Sequence, residues 1–495
     1  MRFPKQMPAR LRSLRGSRSP VAPIRPRPLC RLPSRRRAGQ PQPYGRRMSL
    51  VHRLSVSELA AAIDEGLSPV SIVEECLSRM DAHDGAINAI IYRDPGQALE
   101  AARRAETEIR ANGRRGLLHG IPVAVKDMID VEGWPTTAGS RLHDGRIAGR
   151  DAACVANLKA AGAIIIAKTN MHELTLGTHD NPWFGKVANP LDPSRGTAGT
   201  SSGSAAAVAA GFCAVAIGSD TGGSNRSVAA ANGLFGFKPT NGLIDPAGSL
   251  PTATSLDALG PIATSIEDIR STTEAMLGRS LPEHGTQRAV PVEKMSIAVC
   301  SDLYDAELDQ SVAIAVANWL GACRDRGVSI IERAFPEQKA FVQAGLILLL
   351  HEFAESYGAQ IDAAPDKVGS AVHAMLDHAR RYSAQDVAAA RATRQTAQGQ
   401  LGDLMDGVDI LAIPTAPGLA PRLSDEMTRV GDAHVPFGMT GGTFRRWANM
   451  LTMPALAIPI PSRDVFPASV QLAAQPGADR ALLDMALSLP NALNP

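Results

Sequence analysis

A chain of 495 residues, 44% apolar and 20% charged, has an ordinary soluble globular composition with room for one large domain or about three small ones. Its net charge of +2 conceals an asymmetry, because residues 1–47 carry thirteen arginines and one lysine of the 51 basic residues and no acid, leaving 37 basic against 49 acidic residues and a body near −12. The expectation for the body is therefore no nucleic-acid surface, and, with neither an apolar signal core nor a run of about 18 apolar residues, no membrane span and no secretion.

In chain order, residues 1–47 alternate arginine with proline and cannot bury enough apolar surface to offset the entropy of ordering, so a disordered basic extension is predicted there. A nucleic-acid arm, an Arg-rich organellar transit peptide and translation from an upstream start codon compete as its origin, and Met48 would be the native start in the last case. The folded part, residues 48–495, reads as a single domain. Ser55 and Glu58 have capping-box spacing, with Leu54 and Leu59 as a hydrophobic staple, so a helix begins there and Gly66 can close it. A second helix begins at Ser68-Pro69, with Ile72, Val73, Cys76, Leu77 and Met80 on one face, and a third covers 97–112 and ends at Gly113.

Short β-branched runs then alternate with helical stretches. Strands are predicted at 121–125, 163–167 and 214–217, with helices at 153–161 and 204–210 between them. Further strands are predicted at 296–300, 328–331, 409–413 and 456–460, with mostly helical sequence over 311–402. That alternation predicts an α/β fold with a buried sheet. The six cysteines (Cys30, Cys76, Cys154, Cys213, Cys300, Cys323) are scattered, with no Cys-x-x-Cys and no Cys/His cluster, which suits a reducing cytoplasm and argues against a metal site or a disulfide framework.

Two glycine-serine loops stand out, Gly196 to Ser204 and Gly218 to Ser224, each leading into a predicted helix whose first N–H groups can face an anion. Neither has the lysine of a phosphate loop or a Gly-x-Gly-x-x-Gly. Gly199-Thr200-Ser201-Ser202-Gly203 matches the Gly-x-Ser-x-Gly elbow with Ser201 as nucleophile. That elbow requires a strand directly before it, where Pro190 and Pro193 stand.

The stretch GTSSGSAAAVAAGFCAVAIGSDTGGSNRSVAAANGLFGFKPT, residues 199–240, resembles the core of the amidase signature family, as do Gly120 to Asp127, Pro135 to Ser140, Gly162 to Glu173, Ser255 to Asp257 and Leu411 to Ala416. The resemblance spans roughly 54–475. It implies a large mixed β-sheet core covered by helices on both faces, and hydrolysis of a carboxylic amide without metal or organic cofactor. It also implies a catalytic set of Ser224 as nucleophile, Lys126 as base and, on a cis peptide bond, Thr200 where the family has serine. Backbone N–H groups of Thr221, Gly222 and Gly223 would form the oxyanion hole, with Ser201, Asp220 and Arg226 in support. Lys168, at the end of the next predicted strand, is a local look-alike of Lys126.

Physical chemistry makes the set coherent. Burial disfavours the ammonium, and Ile121, Val123 and Val125 supply an apolar setting for Lys126; a hydroxyl at 200 can both accept and donate a proton. Asn225, Ser227 and Val228 replace the Ile, Ile and Pro usual beside the nucleophile, which leaves substrate shape open. A small-molecule amide is the expected partner, and a homodimer stays open. The rivals are the glutaminase component of a tRNA-dependent amidotransferase and a degenerate amidase-fold binding protein.

Overall fold

The computed structural model describes residues 54–283, 289–300, 308–335, 338–430, 432–462 and 466–491. The extension predicted over 1–47, and Met48, lie outside the described residues. The helix-start signals act as the residues dictate. In α1 (Val56–Asp64) the Glu58 N–H donates to Ser55 Oγ at 3.2 Å and the Ser55 N–H to Glu58 Oε2 at 2.8 Å. Helix α2 (Pro69–Ile87) carries its proline in the first turn behind the Ser68 cap. Helix α3 (Pro95–Asn112) starts two residues earlier than the pattern predicts, because Asp94 caps it by accepting the Gln97 N–H.

Fifteen strands follow in the described residues: β1 (Ile90–Tyr92), β2 (Pro122–Lys126), β3 (Ile164–Thr169), the hairpin β4 (Ala188–Asn189) and β5 (Asp192–Gly196), β6 (Val215–Asp220), β7 (Phe235–Lys238), β8 (Ala258–Ala263), β9 (Ser296–Val299), β10 (Ser329–Glu332), β11 (Ile410–Pro414), the hairpin β12 (Met427–Val430) and β13 (Ala433–Pro436), β14 (Ala455–Ile460) and β15 (Ala468–Ala473). Eleven of them form one mixed sheet in the order β1-β3-β2-β6-β8-β7-β14-β15-β11-β9-β10. Its frame is two parallel trios, β3-β2-β6 and β11-β9-β10, joined by β8, β7, β14 and β15, which run antiparallel to their neighbours. β8 escapes prediction because Gly260 and Pro261 interrupt its apolar run, yet Pro261 sits in register opposite Ile217.

Period-two alternation divides the core. Val123, Val125, Val215 and Ile217 enter one layer with α1 and α4 (Ala153–Ala160), whereas Ala124 and Ala216 face the other, where α2, α3, α5 (Ser202–Ala209) and α6 (Ser224–Asn232) pack. The alanines of that second face, Ala124 and Ala216 on the strands and Ala205, Ala206 and Ala207 on α5, let helix and sheet approach closely. Helices α7 (Ile266–Leu277), α8 (Gln310–Asp325) and α9 (Gln338–Ala363) follow; Phe341, Leu348 and Leu349 of α9 share a third apolar cluster with Trp447. No helix among the described residues is long and apolar enough to cross a membrane.

Candidate active site

The candidate site lies where β2 and β6 end and where α5 and α6 begin. Parallel register pairs Val125 with Ile217, so the next residues, Lys126 and Gly218, stand side by side. By alternation Lys126 follows Ala124 into the small-residue layer, so Val123 and Val125 point away from its side chain and Ile121 belongs to their layer. That corrects the expected source of its apolar setting. What surrounds the Lys126 head is hydroxyl: Nζ donates to Thr200 Oγ1 at 3.0 Å, Ser201 Oγ at 3.1 Å and Ser219 Oγ at 2.8 Å. Lys126 is completely buried. Burial pushes its ammonium from 10.5 down to about 7, against the opposing pull of the Asp257 and Asp220 carboxylates.

Thr200 and Ser201 arrive on the loop that opens α5. Gly196 belongs to the β4–β5 hairpin, apart from the main sheet, so the strand that a Gly-x-Ser-x-Gly elbow requires is missing and Ser201 takes no such role. Ser201 is a buried junction: its Oγ lies 3.1 Å from both the Ser219 carbonyl and Asn225 Oδ1. Asn225 is held in turn by donation to the carbonyls of Gly260 and Phe237. The neighbouring Gly199 crosses the first turns of α6, where an added Cβ would sit 3.1 Å from Val228 Cγ1 and 3.6 Å from the Ser224 carbonyl. Glycine at 199 thus permits the approach that brings Thr200 toward Ser224. No hydrogen bond joins the two hydroxyls in this structure, a contact of the kind that tightens when substrate seats. All described peptide bonds are trans, so Thr200 is not on the cis bond that the resemblance implies.

Ser224 is the first residue of α6 and partly exposed, directly behind Gly223, whose φ of 108° excludes a side chain without strain. The turn is tied down by Asp220. Its carboxylate accepts from Arg226 Nη2 at 2.8 Å and Nε at 3.1 Å, from Asn449 Nδ2 at 3.0 Å, and from the N–H groups of Gly223 at 3.0 Å and Asn225 at 3.3 Å. Burial alone would raise this carboxyl, but Arg226 and Asn449 hold it well below the usual carboxylate range. The consequence narrows the oxyanion hole: the Gly223 N–H is committed to Asp220, which leaves Thr221 and Gly222 of the three expected donors. Thr221 is fixed by its own hydroxyl, which donates to Asp257 Oδ1 at 2.5 Å; burial raises Asp257 to about 6 against hydrogen bonds from Thr221, Thr252 and Ala253.

Lys168 is as buried as Lys126 but differently employed. It pairs with Asp127 Oδ1 at 3.1 Å and donates to the Pro135 carbonyl and Thr136 Oγ1, both at 2.9 Å. His172 donates or accepts only toward the Gly177 carbonyl, and burial lowers it to about 4. Sequence reasoning missed three contributors. Ser219 is visible within the second glycine-serine loop, but Asn449 and the Arg445–Arg446 pair come from about 220 residues downstream, with no local pattern to mark them.

The family model for amidases matches residues 71–483. The chain belongs to the amidase signature family. The glutaminase-type A component of the glutamyl-tRNA(Gln) amidotransferase of Anaeromyxobacter sp. (strain K) is 30% identical over 486 residues, covering 90% of this chain and 97% of that protein. A crystal structure of an amidase superposes with a TM-score of 0.81 at 32% identity, over 87% of this chain and 98% of its own. The peptide amidase from Stenotrophomonas maltophilia superposes with a TM-score of 0.73 at 26% identity, over 87% and 95%. This amidase is an α/β enzyme that hydrolyses the C–N bond of amides.

Proposed function

We propose that this amidase works through an acyl-enzyme on Ser224. Lys126, neutral at and above pH 7, takes the Ser224 proton by way of Thr200 as Ser224 Oγ attacks the amide carbonyl. The N–H groups of Thr221 and Gly222 receive the oxyanion. The same hydroxyl path returns the proton to the leaving nitrogen, ammonia or an amine departs, and water releases the acid and regenerates Ser224. Ser201 and Ser219 position Lys126, and Asp220 with Arg226 positions the Ser224 turn. The observation that carries the reading is a fully buried lysine, driven to about 7 by burial, hydrogen-bonded to a hydroxyl on the loop that crosses α6 at Ser224. Five buried free thiols suit a cytoplasmic location for the enzyme.

A fluorophosphonate probe tests the assignment. Wild type should be labelled at Ser224, Ser224→Ala should not be labelled, and Lys126→Ala should be labelled at least about 100-fold more slowly. Labelling at Ser201, or none in wild type, sinks the proposal. The relatives named as amidotransferase components support a second reading, a glutaminase that passes ammonia to partner proteins. Steady turnover of simple amides by the purified chain alone would exclude an obligate role within such a complex.

A further inference from the structure

Three arginines meet behind the Thr221–Gly223 turn, and their partners differ. Arg226 is saturated by Asp220, Asn449 Oδ1 at 2.9 Å, Gln471 Oε1 at 2.6 Å and the Arg445 carbonyl. Arg445 donates to the Thr415 carbonyl at 2.9 Å and Thr440 Oγ1 at 3.2 Å and lies 5.0 Å over the Phe437 ring. Arg446 has no such set. Its stem passes Gly345 of α9, and its head lies against Gly222 and Gly442: a Cβ added at 222 would be 3.3 Å from Nε and 3.8 Å from Nη2, and one added at 442 would be 3.3 Å from Nη1. Arg446 Nε is buried without a hydrogen-bond partner, and among the described residues no carboxylate pairs with this guanidinium. Burial pushes it down to about 10, with no charge named against that effect.

The charge balance gives this orphan a meaning. One carboxylate, Asp220, contacts the trio, and Arg226 neutralises it, so two positive charges remain beside the turn. Natural proteins rarely leave a buried charge unmatched, since stripping a buried ion of its partner costs about 3–5 kcal/mol. A guanidinium fork of this kind matches a carboxylate with two parallel hydrogen bonds. Its neighbour Gly222 is two residues from Ser224, and at about 3.8 Å per Cα step the separation spans only a few bonds of a substrate.

We propose that Arg446 is a specificity-determining residue that receives a carboxylate carried by the substrate, so that the preferred substrates are short monoamides of dicarboxylic acids. The proposal rests on Ser224 as the nucleophile, and its test separates the two. Hydrolysis of malonamate, succinamate and glutaramate is compared with that of the uncharged diamides of equal length. Wild type should favour at least one charged member by about 10-fold or more in kcat/KM, and Arg446→Met should erase that ratio, with the loss on the charged substrate falling mainly in KM and amounting to about 10–100-fold. Arg446→Lys, a point charge in place of the fork, should retain part of the ratio. The corresponding dicarboxylates should slow fluorophosphonate labelling of wild-type Ser224 but not of Arg446→Met. No preference in wild type, or the same preference in Arg446→Met, overturns the proposal. So does a lower melting temperature of ligand-free Arg446→Met, because loss of an unmatched buried charge should leave stability unchanged or raised. If wild type is neither labelled nor active, the Ser224 reading fails alone, and the dicarboxylates decide Arg446: a melting-temperature rise that Arg446→Met abolishes upholds it, and no rise overturns it.

Discussion

Lys126→Met should make this protein inactive and, at pH 6, more stable. The folded protein holds Lys126 at about 7 against an ordinary 10.5, a difference of about 3.5 pKa units and so about 5 kcal/mol at about 1.4 kcal/mol per unit. The folded value is depressed, so between pH 7 and 10.5 the unfolded chain holds a proton that the folded one has lost. Wild-type stability therefore rises with pH across that window on account of this residue, and the full deficit is present below pH 7. Methionine removes the deficit but strands the hydroxyls of Thr200, Ser201 and Ser219, which lose three hydrogen bonds worth about 0.5–1.5 kcal/mol each. The net gain at pH 6 is about 1–3 kcal/mol, shrinking as pH approaches 10. Urea unfolding of both proteins at pH 6, 8 and 9.5 measures it. A variant less stable than wild type at pH 6, or an advantage that grows with pH, would refute the burial argument. Activity gives a second check, since wild-type kcat/KM should fall tenfold per pH unit below about 7; a profile flat to pH 5 removes Lys126 as the base.

Thr200→Ser should keep activity within about 10-fold, whereas Thr200→Val, which preserves shape and deletes the hydroxyl, should lower kcat/KM about 10²–10⁴-fold in an ammonia-release assay. Lys168→Met should reverse the stability outcome of Lys126→Met: it leaves Asp127 buried without its cation and should cost about 3–5 kcal/mol by urea unfolding. Asp220→Asn should cost a similar amount at pH 7. Because the Asp220 pKa is lower folded than unfolded, its contribution is present above the unfolded value of 3.8, and the gap between the two proteins should narrow as pH falls below that value. Gly218→Ala should destabilise by about 1–3 kcal/mol, since the added methyl overlaps Asn225 Oδ1 and meets Ser201 Oγ at 2.9 Å, and labelling of Ser224 should slow with it.

Much of the fold was legible because its signals are local. Ser55 with Glu58, Ser68 with Pro69, and Gly113 act within one turn, and the apolar runs of β2, β3, β6 and β14 need no partner to be recognised. The strands that escaped, β7, β8 and β15, are short or broken by Gly and Pro; they are strands because the sheet supplies their hydrogen bonds, as Ile217 does for Pro261's neighbours. At the site, Lys126, Thr200, Ser201, Asp220 and Ser224 were legible as members of motif-bearing loops and the strand end beside them. The face to which Lys126 points depended on which neighbour its strand acquired, and Val123 and Val125 proved to be on the far side of it.

The sequence by itself determined the α/β class, the family and the identity of the hydroxyls and amine that meet, since each is written in contiguous residues with a definite spacing. Tertiary structure alone decided how they are used. Burial is a property of all the elements that close over Lys126, so only the folded sheet could separate the depressed Lys126 from the ion-paired Lys168. Only the folded turn could show that Asp220 occupies the Gly223 N–H and that Arg446, 222 residues beyond Ser224, stands beside Gly222 without an anion. Charge pairing across such separations follows from packing, and no local pattern encodes it.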